Sequence, residues 1–198
     1  MSYNGVLVGL GNPGPQYAHT RHNCGFDTLD LVLHDAEKRG RMRELNGAKF
    51  SCALWHVESP LLMGDWLCCK PLTFMNLSGQ AVRPLLAFYK ISPGDIVVIH
   101  DELDIPAGAL RFKFGGGNAG HNGLKSLTQE LGTPDFYRLR IGIGRPVHKH
   151  DVINWVLGRP EGEEREILTT GMQHALDVLQ VFQTSGLEAA VTLARAKN

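Results

Sequence analysis

Short runs of apolar and β-branched residues alternate along this chain with longer stretches in which apolar positions recur at helical spacing. The short runs predict buried strands, and the longer stretches predict helices that pack one face against a sheet. The predicted strands cover residues 6–9, 51–56, 66–70, 96–100, 111–114 and 138–143. The predicted helices cover residues 24–39, 79–89, 120–131, 151–156, 163–182 and 187–196. Because strands and helices alternate, the pattern indicates an α/β fold.

The chain shows no sign of division into separate domains. Its 198 residues match the size of one domain, no internal repeat is present, and the triple glycine at 115–117 is short enough to be a loop. Residues 158–164 connect the preceding chain to a C-terminal helical segment. We therefore predict one domain over residues 1–198, in three α/β/α layers around a central mixed, mostly parallel β-sheet.

Composition narrows the class of protein. Apolar residues make up 43% of the chain and charged residues 20%, which supports a packed core and argues against a disordered or fibrous protein. The four cysteines show no CxxC spacing, so a zinc site is not indicated, and reduced thiols point to the cytoplasm. No basic leader precedes the first apolar run, and no apolar stretch approaches the ~20 residues of a membrane-spanning helix. We expect a cytoplasmic protein without a membrane segment.

Positive charge is concentrated in one part of the chain. Residues 111–150 contain seven Lys and Arg but two acidic residues, a net charge of +5, although the chain carries 20 basic and 20 acidic residues in all. A basic segment of this kind predicts a surface that meets an anionic partner, and the alternative is a solvated surface without a partner.

The segment GLGNPG at residues 9–14 matches the G-x-G-x-x-G pattern of dinucleotide-binding loops. In such a loop, the helix after the third glycine offers backbone N–H groups to a pyrophosphate. Pro13 and Pro15 remove two of those donors, and the acidic residues about 20 positions later lie within a predicted helix. The pattern therefore does not favour a nucleotide-dependent oxidoreductase.

Polar side chains follow several predicted strands or begin a predicted helix. Asn12, Asn76 and Asp101 come just after or at the end of strands, and Asn122 stands with His121 at the start of a helix. Each of them alone is typical of a turn or a helix cap. Because ligand sites of α/β proteins gather at the carboxyl ends of strands, the four segments together predict one shared cleft.

His22 is the candidate base for chemistry in this cleft. Asp101 is the carboxylate best placed to orient its ring, which would leave the other ring nitrogen to take a proton from water. A metal site in HDELD is less favoured, because adjacent side chains of an extended segment point to opposite faces. A covalent mechanism through Ser78 or Cys24 is also less favoured, since no G-x-S-x-G elbow is present and Cys24 is expected to face the core.

Five segments occur in an order that makes their combination specific: GLGNPGPQYAHTRHNCGF, PLTFMNLSG, HDELDIPAG, GGGNAGHNGLKS and FYRLRIGIGRP. From about residue 6 to about residue 160 the chain resembles the bacterial-type peptidyl-tRNA hydrolase family. The resemblance implies hydrolysis of the ester between a peptide and the 3′ end of tRNA. It also implies a single α/β domain, usually monomeric, that needs no metal, organic cofactor or obligate protein partner.

The resemblance further implies roles for individual residues. His22 in RHN would be the general base, Asp101 in HDELD would orient and polarise it, and Asn12 in GNPG would position water or the reacting carbonyl. Asn76 and Asn122 would hold the peptide backbone, the ester or the terminal nucleotide. The expected lining residues are Tyr17, Phe74 and Met75, and the expected tRNA phosphate contacts are Lys113, Arg140 and Lys149.

One loop departs from the family pattern, and one alternative function stays open. The loop that often reads GGGHGGHNG is GGGNAGHNG here, so Asn118 and Ala119 change its hydrogen bonding and flexibility. The alternative is a non-catalytic RNA-binding module on the same fold, because relatives of the family serve in plant organelle RNA splicing. The presence of His22, Asp101 and all three asparagines favours the esterase.

Overall fold

Seven strands of the described chain form one sheet in this structure, a computed structural model that describes residues 3–58 and 61–196. The strands are β1 (Gly5–Gly9), β2 (Met42–Leu45), β3 (Cys52–Glu58), β4 (Asp65–Pro71), β5 (Ile96–Glu102), β6 (Leu110–Phe114) and β7 (Tyr137–Gly142). Their order across the sheet is β2-β3-β4-β1-β5-β7-β6. The first strand of the chain therefore lies at the centre of the sheet.

The four central strands, β4, β1, β5 and β7, run parallel, and antiparallel pairings complete both sides. Val8 of β1 pairs with Cys69 on one side and with Val98 on the other. The predicted mixed sheet is thus confirmed, with three parallel and three antiparallel pairings. The parallel centre brings the carboxyl ends of four strands to one edge, where α/β proteins place their ligand sites.

Five α-helices of the described chain cover the sheet: α1 (Cys24–Lys38), α2 (Ser78–Tyr89), α3 (Asn122–Leu131), α4 (Val152–Leu157) and α5 (Gly162–Ala196). Helices α1 and α5 pack on one face, and α2 and α3 pack on the other. Gly186 interrupts α5 with a positive φ of 82°, close to the predicted gap between two helices. The predicted three-layer α/β/α arrangement is confirmed.

Side chains of the central strands alternate between the two faces of the sheet. Leu7 joins the core beneath α1 and α5, whereas Val6 and Val8 join the core beneath α2 and α3. Because both faces are covered, these strands are apolar at consecutive positions. This explains why they were recognisable from short apolar runs.

The start of α1 lies unusually close to the ends of β1 and β5. A Cβ atom on Gly25 would lie 2.4 Å from the carbonyl oxygen of Ile99 and 2.5 Å from that of Leu10. Glycine is therefore required at position 25 for this approach. The contact holds the residues just before α1, which include His22, against the carboxyl edge of the sheet.

Strand β2 was not predicted from the sequence. It lies at the edge of the sheet, and its four residues are exposed or half-buried, with Arg43 and Glu44 in the middle. An edge strand of this kind carries no apolar alternation to reveal it. No helix of the described chain is both long enough and apolar enough to cross a membrane.

Candidate active site

Side chains from four segments meet around one cleft at the carboxyl edge of the sheet. The cleft has a volume of about 640 Å³. The sequence-predicted residues that line it are Asn12, His22, Phe74, Met75, Asn76 and Asn122. They come from the segments after β1 and β4, from the turn before α1 and from the start of α3. Three of the four predicted segments thus meet at this cleft, whereas Asp101 lines an adjacent cavity that shares His22 and Asn122 with it.

His22 and Asp101 form a hydrogen-bonded pair at the side of this cleft. The Nδ1 atom of His22 lies 2.8 Å from Oδ1 of Asp101, and their side chains are 12% and 3% exposed. Burial alone would lower the pKa of His22, but the charge of Asp101 and its hydrogen bond outweigh burial and raise it above the usual value. Burial opposes the charge of Asp101, yet His22 and His121 together hold the pKa of that carboxyl well below its usual range.

His121 is a second partner of the same carboxylate oxygen. Its Nε2 atom lies 2.9 Å from Oδ1 of Asp101. Its Nδ1 atom accepts backbone N–H groups of Gly123 at 3.1 Å and Leu124 at 3.3 Å, so His121 caps helix α3. A nitrogen that accepts two N–H groups carries no proton, so the proton of this neutral ring is on Nε2 and is donated to Asp101. The sequence predicted His121 at the start of a helix but did not predict its hydrogen bond to Asp101.

His22, Asp101 and His121 carry ring nitrogen and carboxylate atoms of the kinds that bind metal ions. The nearest ligand atoms of His22, Asp101 and His121 all lie within 4.8 Å of one another. Metal binding needs a free lone pair on each imidazole. The cap contacts put the proton of His121 on Nε2, so this nitrogen donates a hydrogen bond and cannot also be a ligand. Hydrogen bonding therefore accounts for the geometry of the group.

Asn12 is fixed by contacts that leave one side of its carboxamide to the cleft. Its Oδ1 accepts the backbone N–H of Met75 at 2.8 Å. Its backbone is held by the side chain of Asn23, which accepts from the Asn12 N–H at 2.9 Å and donates to its carbonyl at 3.0 Å. The Nδ2 group of Asn12 donates to no residue that the structure describes. It is a positioned donor that a reacting carbonyl oxygen could use.

Apolar side chains form the outer walls of the cleft. Phe74 and Ile153 are 53% and 69% exposed, which is unusual for large apolar residues. Val156 and Leu157 of α4 line the same wall as Ile153. Tyr17 is placed at the rim, where its ring meets the ring of Phe74 edge-on with centroids 6.3 Å apart. The walls offer apolar surface to a ligand that enters the cleft.

The basic residues predicted to meet phosphate lie on the last two strands of the sheet. Strands β6 and β7 pair so that Lys113 and Arg140 lie on the same face, together with Arg138. Burial lowers the pKa of Lys113, and the positive charges of Arg140 and Arg138 lower it further. The guanidinium of Arg140 donates to Oε2 of Glu102 at 3.0 and 3.2 Å.

Two basic residues of the segment 111–150, Arg138 and Lys149, do not count towards the basic surface that the structure describes. Arg138 is fully buried and donates to the carbonyl oxygens of Gly117 and Pro134 at 2.6 and 3.2 Å, so it holds the glycine-rich loop in place. The side chain of Lys149 lies outside the residues that the structure describes. The basic surface is thus smaller than the +5 charge of the segment suggests.

The loop that departs from the family pattern borders a second cavity of about 360 Å³, which shares His22 and Asn122 with the main cleft. Ala119 lines this cavity and adopts a positive φ of 46°, a conformation that favours glycine. Asn118 accepts a hydrogen bond from the hydroxyl of Thr128 at 3.2 Å. These contacts show how the two unusual residues are accommodated.

Two further residues next to His22 were missed by sequence analysis. Asn23 holds Asn12, as described above, and Arg21 donates to both carboxylate oxygens of Glu164 at 2.7 and 2.5 Å. The partners lie 11 and 143 positions away along the chain. No local pattern in the sequence signals contacts over such separations.

Comparisons with known proteins agree with the family that the sequence resembles. The family model described as peptidyl-tRNA hydrolase matches residues 6–198. A peptidyl-tRNA hydrolase of Desulfovibrio desulfuricans is 64% identical over 98% of this chain and 85% of its own length. One of Nitratidesulfovibrio vulgaris is 50% identical over 99% of this chain and 98% of its own length.

A solved structure provides a third comparison. The crystal structure of peptidyl-tRNA hydrolase from Acinetobacter baumannii superposes with a TM-score of 0.88 at 38% identity, over 99% of this chain and 97% of that one. Sequence and fold therefore agree along nearly the full length. The chain belongs to the peptidyl-tRNA hydrolase family.

Proposed function

We propose that this protein hydrolyses the ester bond between a peptide and tRNA, releasing free tRNA for reuse in translation. The observation that carries the proposal is the His22–Asp101 pair at the side of a cleft that also presents Asn12, Asn76 and Asn122. The relatives named above bear the corresponding name, and their similarity spans this whole cleft.

The first chemical step is activation of water by His22. Its Nδ1 is bonded to Asp101, so Nε2 is the nitrogen that accepts a proton from water. The resulting hydroxide oxygen bonds to the ester carbonyl carbon, and the carbonyl oxygen gains negative charge. The free Nδ2 group of Asn12 is placed to donate to this oxygen.

The second step breaks the bond to tRNA. As the carbonyl re-forms, the ester oxygen of the terminal ribose leaves, and protonated His22 returns the proton to it as a hydroxyl. Asp101 stabilises the positive charge that His22 carries between the two steps. Atoms and protons balance with water as the one co-reactant, and no step needs a covalent enzyme intermediate or a cofactor.

The two halves of the substrate fit different parts of the protein. The peptide lies along the 640 Å³ cleft, where Asn76 and Asn122 offer neutral donors and acceptors to its backbone. We expect the tRNA phosphates to contact Lys113, Arg140 and Lys149, of which the structure describes the side chains of the first two. The positive charges of Arg140 and Arg138 act on Lys113 and the negative charge of Glu102 partly offsets them, so a phosphate would relieve the remaining repulsion. We further propose that the protein acts as a cytoplasmic monomer.

The proposal is tested with N-acetyl-aminoacyl-tRNA, by measuring release of free tRNA in the presence of a chelator. His22→Ala should lower kcat by about 10²–10⁴-fold, because the base is lost, while affinity for tRNA stays nearly unchanged. His56→Ala is the matched control, since His56 also pairs with an aspartate, the half-exposed Asp65, but is not among the residues that line the cleft. Equal turnover in the His22 variant would remove His22 as the base.

The experiment also separates the alternative function. Tight tRNA binding without turnover in either the unaltered protein or the variant would support a non-catalytic RNA-binding module. Turnover that disappears with the chelator alone would instead point to a metal-dependent reaction.

A further inference from the structure

Arg21 directly precedes His22, but its side chain points away from the cleft and into a separate set of contacts. Its guanidinium donates to both carboxylate oxygens of Glu164, in the first turn of α5, and to the carbonyl oxygen of Trp155 at 3.1 Å. The same guanidinium lies 3.9 Å from the centre of the Trp155 ring. The backbone N–H of Arg21 donates to the carbonyl of Gly158 at 3.0 Å. A side chain that is 8% exposed thus joins α4 to α5.

Besides Arg21, helix α4 is held by hydrogen bonds of Trp155 and by partial burial of two of its side chains. None of its six residues is buried, and Trp155 and Val156 are only partly buried against the core. The indole N–H of Trp155 donates to the carbonyl oxygens of Gly144 and Ile143 at 3.0 and 3.3 Å. A short helix without a buried apolar face depends on such specific contacts for its position.

The cleft depends on where α4 lies. Three residues of α4, Ile153, Val156 and Leu157, form an apolar wall opposite the asparagines. They are on the face of α4 that meets the peptide in the proposed reaction. A shift of α4 would therefore change the fit of apolar peptide side chains more than it would change the His22–Asp101 pair, because Asp101 belongs to β5 and is also hydrogen-bonded to His121.

We propose that Arg21 is a positioning residue that fastens α4 as the apolar wall of the peptide cleft, and that it thereby sets a preference for peptides whose C-terminal side chain is large and apolar. The inference rests on the proposed function, because it concerns which peptide esters the cleft accepts. Three consecutive residues then share the work of assembling the site: Arg21 fixes α4, His22 meets Asp101, and Asn23 fixes Asn12.

Arg21→Lys tests this role, because lysine keeps the charge but cannot bond Glu164 at both oxygens while stacking on Trp155. With N-acetyl-phenylalanyl-tRNA, KM should rise about tenfold, since a contact with an apolar side chain is weakened. With N-acetyl-glycyl-tRNA, KM should change by less than about twofold, because that peptide has no side chain to meet the wall. The pH dependence of kcat should stay unchanged for both.

Glu164→Gln is the second variant, since it weakens the same contact without altering a residue next to His22, and it should shift the phenylalanyl KM in the same direction. Arg39→Lys is the matched control, because Arg39 pairs with Asp35 on the exposed far end of α1. A fall in kcat shared equally by both substrates, with KM unchanged, would mean that Arg21 supports stability alone and would overturn the inference.

Amide hydrogen exchange tests the fastening of α4 without any substrate. In Arg21→Lys and Glu164→Gln, amides of residues 152–157 should exchange at least about tenfold faster, while those of β1 and β5 stay unchanged. Unchanged exchange in α4 in both variants would overturn the inference, whatever the activity. Absence of turnover in the unaltered protein would count against the proposed function. Amide exchange in α4 would then still decide whether Arg21 fastens this helix.

Discussion

The carboxylate of Asp101 serves two histidines that present different nitrogens to it. His22 offers Nδ1 and keeps Nε2 for the cleft, whereas His121 offers Nε2 and uses Nδ1 to cap α3. The cap holds His121 in one neutral tautomer, so we propose that the proton exchanged during the reaction belongs to His22. One buried oxygen therefore orients the base and also ties it to the helix that carries Asn122.

The first prediction concerns pH. His22 acts as a base when it is neutral, so kcat/KM should rise with pH through a pKa above the usual value of 6.5. In Asp101→Asn the attraction is lost and burial remains, so the pKa of His22 falls and the rising limb moves to lower pH. The plateau should also fall by roughly 10²-fold, because the ring loses its orientation. A limb that stays in place would assign the titration to another group.

The second prediction separates the two contacts of His121. His121→Asn keeps an acceptor at the start of α3, whereas His121→Ala removes it. The free energy of unfolding, measured with urea, should therefore be about 1 kcal/mol lower in the alanine variant than in the asparagine variant. Both variants remove the N–H donor to Asp101. The negative charge of Asp101 then acts on His22 alone and raises the pKa of His22. The rising limb of the pH profile should therefore move to higher pH in both variants. Equal stability of the two variants would argue against the cap.

Single side chains were predictable from the sequence where strand ends mark the cleft. Asn12, Asn76 and Asp101 follow this rule, whereas Asn122 was predicted from the start of a helix. The three asparagines line the same cavity. Arg21 could not be predicted in the same way, because its partners belong to helices more than a hundred positions later. Long-range polar contacts leave no periodicity in the local sequence.

Among the helices and strands, burial decided what the sequence could reveal. The central strands are apolar on both faces and were predicted within one or two residues, and the break in α5 at Gly186 fell beside the expected gap. Strand β2 was missed because its charged residues face solvent at the sheet edge. The fit between α1 and the sheet at Gly25 also escaped prediction, because it depends on tertiary contact rather than on local pattern.

The third prediction concerns that fit. Gly25→Ala adds a Cβ that meets backbone atoms of Leu10 and Ile99, which cannot turn aside as a side chain could. We expect a loss of about 1–3 kcal/mol in the free energy of unfolding, measured with urea. Gly117→Ala is the control, because nothing lies within 4 Å of its added Cβ and its φ is not positive. Equal stability of both variants would contradict the close approach.

Across the protein, charge is unevenly distributed although the net charge is zero. The basic segment contributes Lys113 and Arg140 to one face of β6 and β7, where Arg140 pairs with Glu102, the neighbour of Asp101 in sequence. Its total charge overstates the available surface, because Arg138 is buried in a structural role. A count of charges along the sequence cannot distinguish a cation that is available to a partner from a buried cation with a structural role.

The fourth prediction concerns this surface. Lys113→Ala should weaken tRNA binding and reduce the slope of log K against log salt concentration by about one, as expected for the loss of one phosphate contact. Arg39→Ala should leave the slope unchanged, because Arg39 lies at the opposite end of α1 from the cleft. Binding is measured with uncharged tRNA, so that turnover plays no part. Identical slopes for both variants would remove Lys113 from the phosphate contacts.

Within the part of the chain that the structure describes, β2 and β6 are the outer strands of the sheet, and each is paired on one side. An open strand offers backbone N–H and C=O groups to which a strand of another molecule can add. Strand β2 carries Arg43 and Glu44, and β6 carries Arg111 and Lys113, so each edge presents charge to an incoming copy. The cations of β6 would repel the same cations of a second molecule. Lys113, which we propose to contact tRNA, would thus also disfavour pairing between the β6 edges of two molecules.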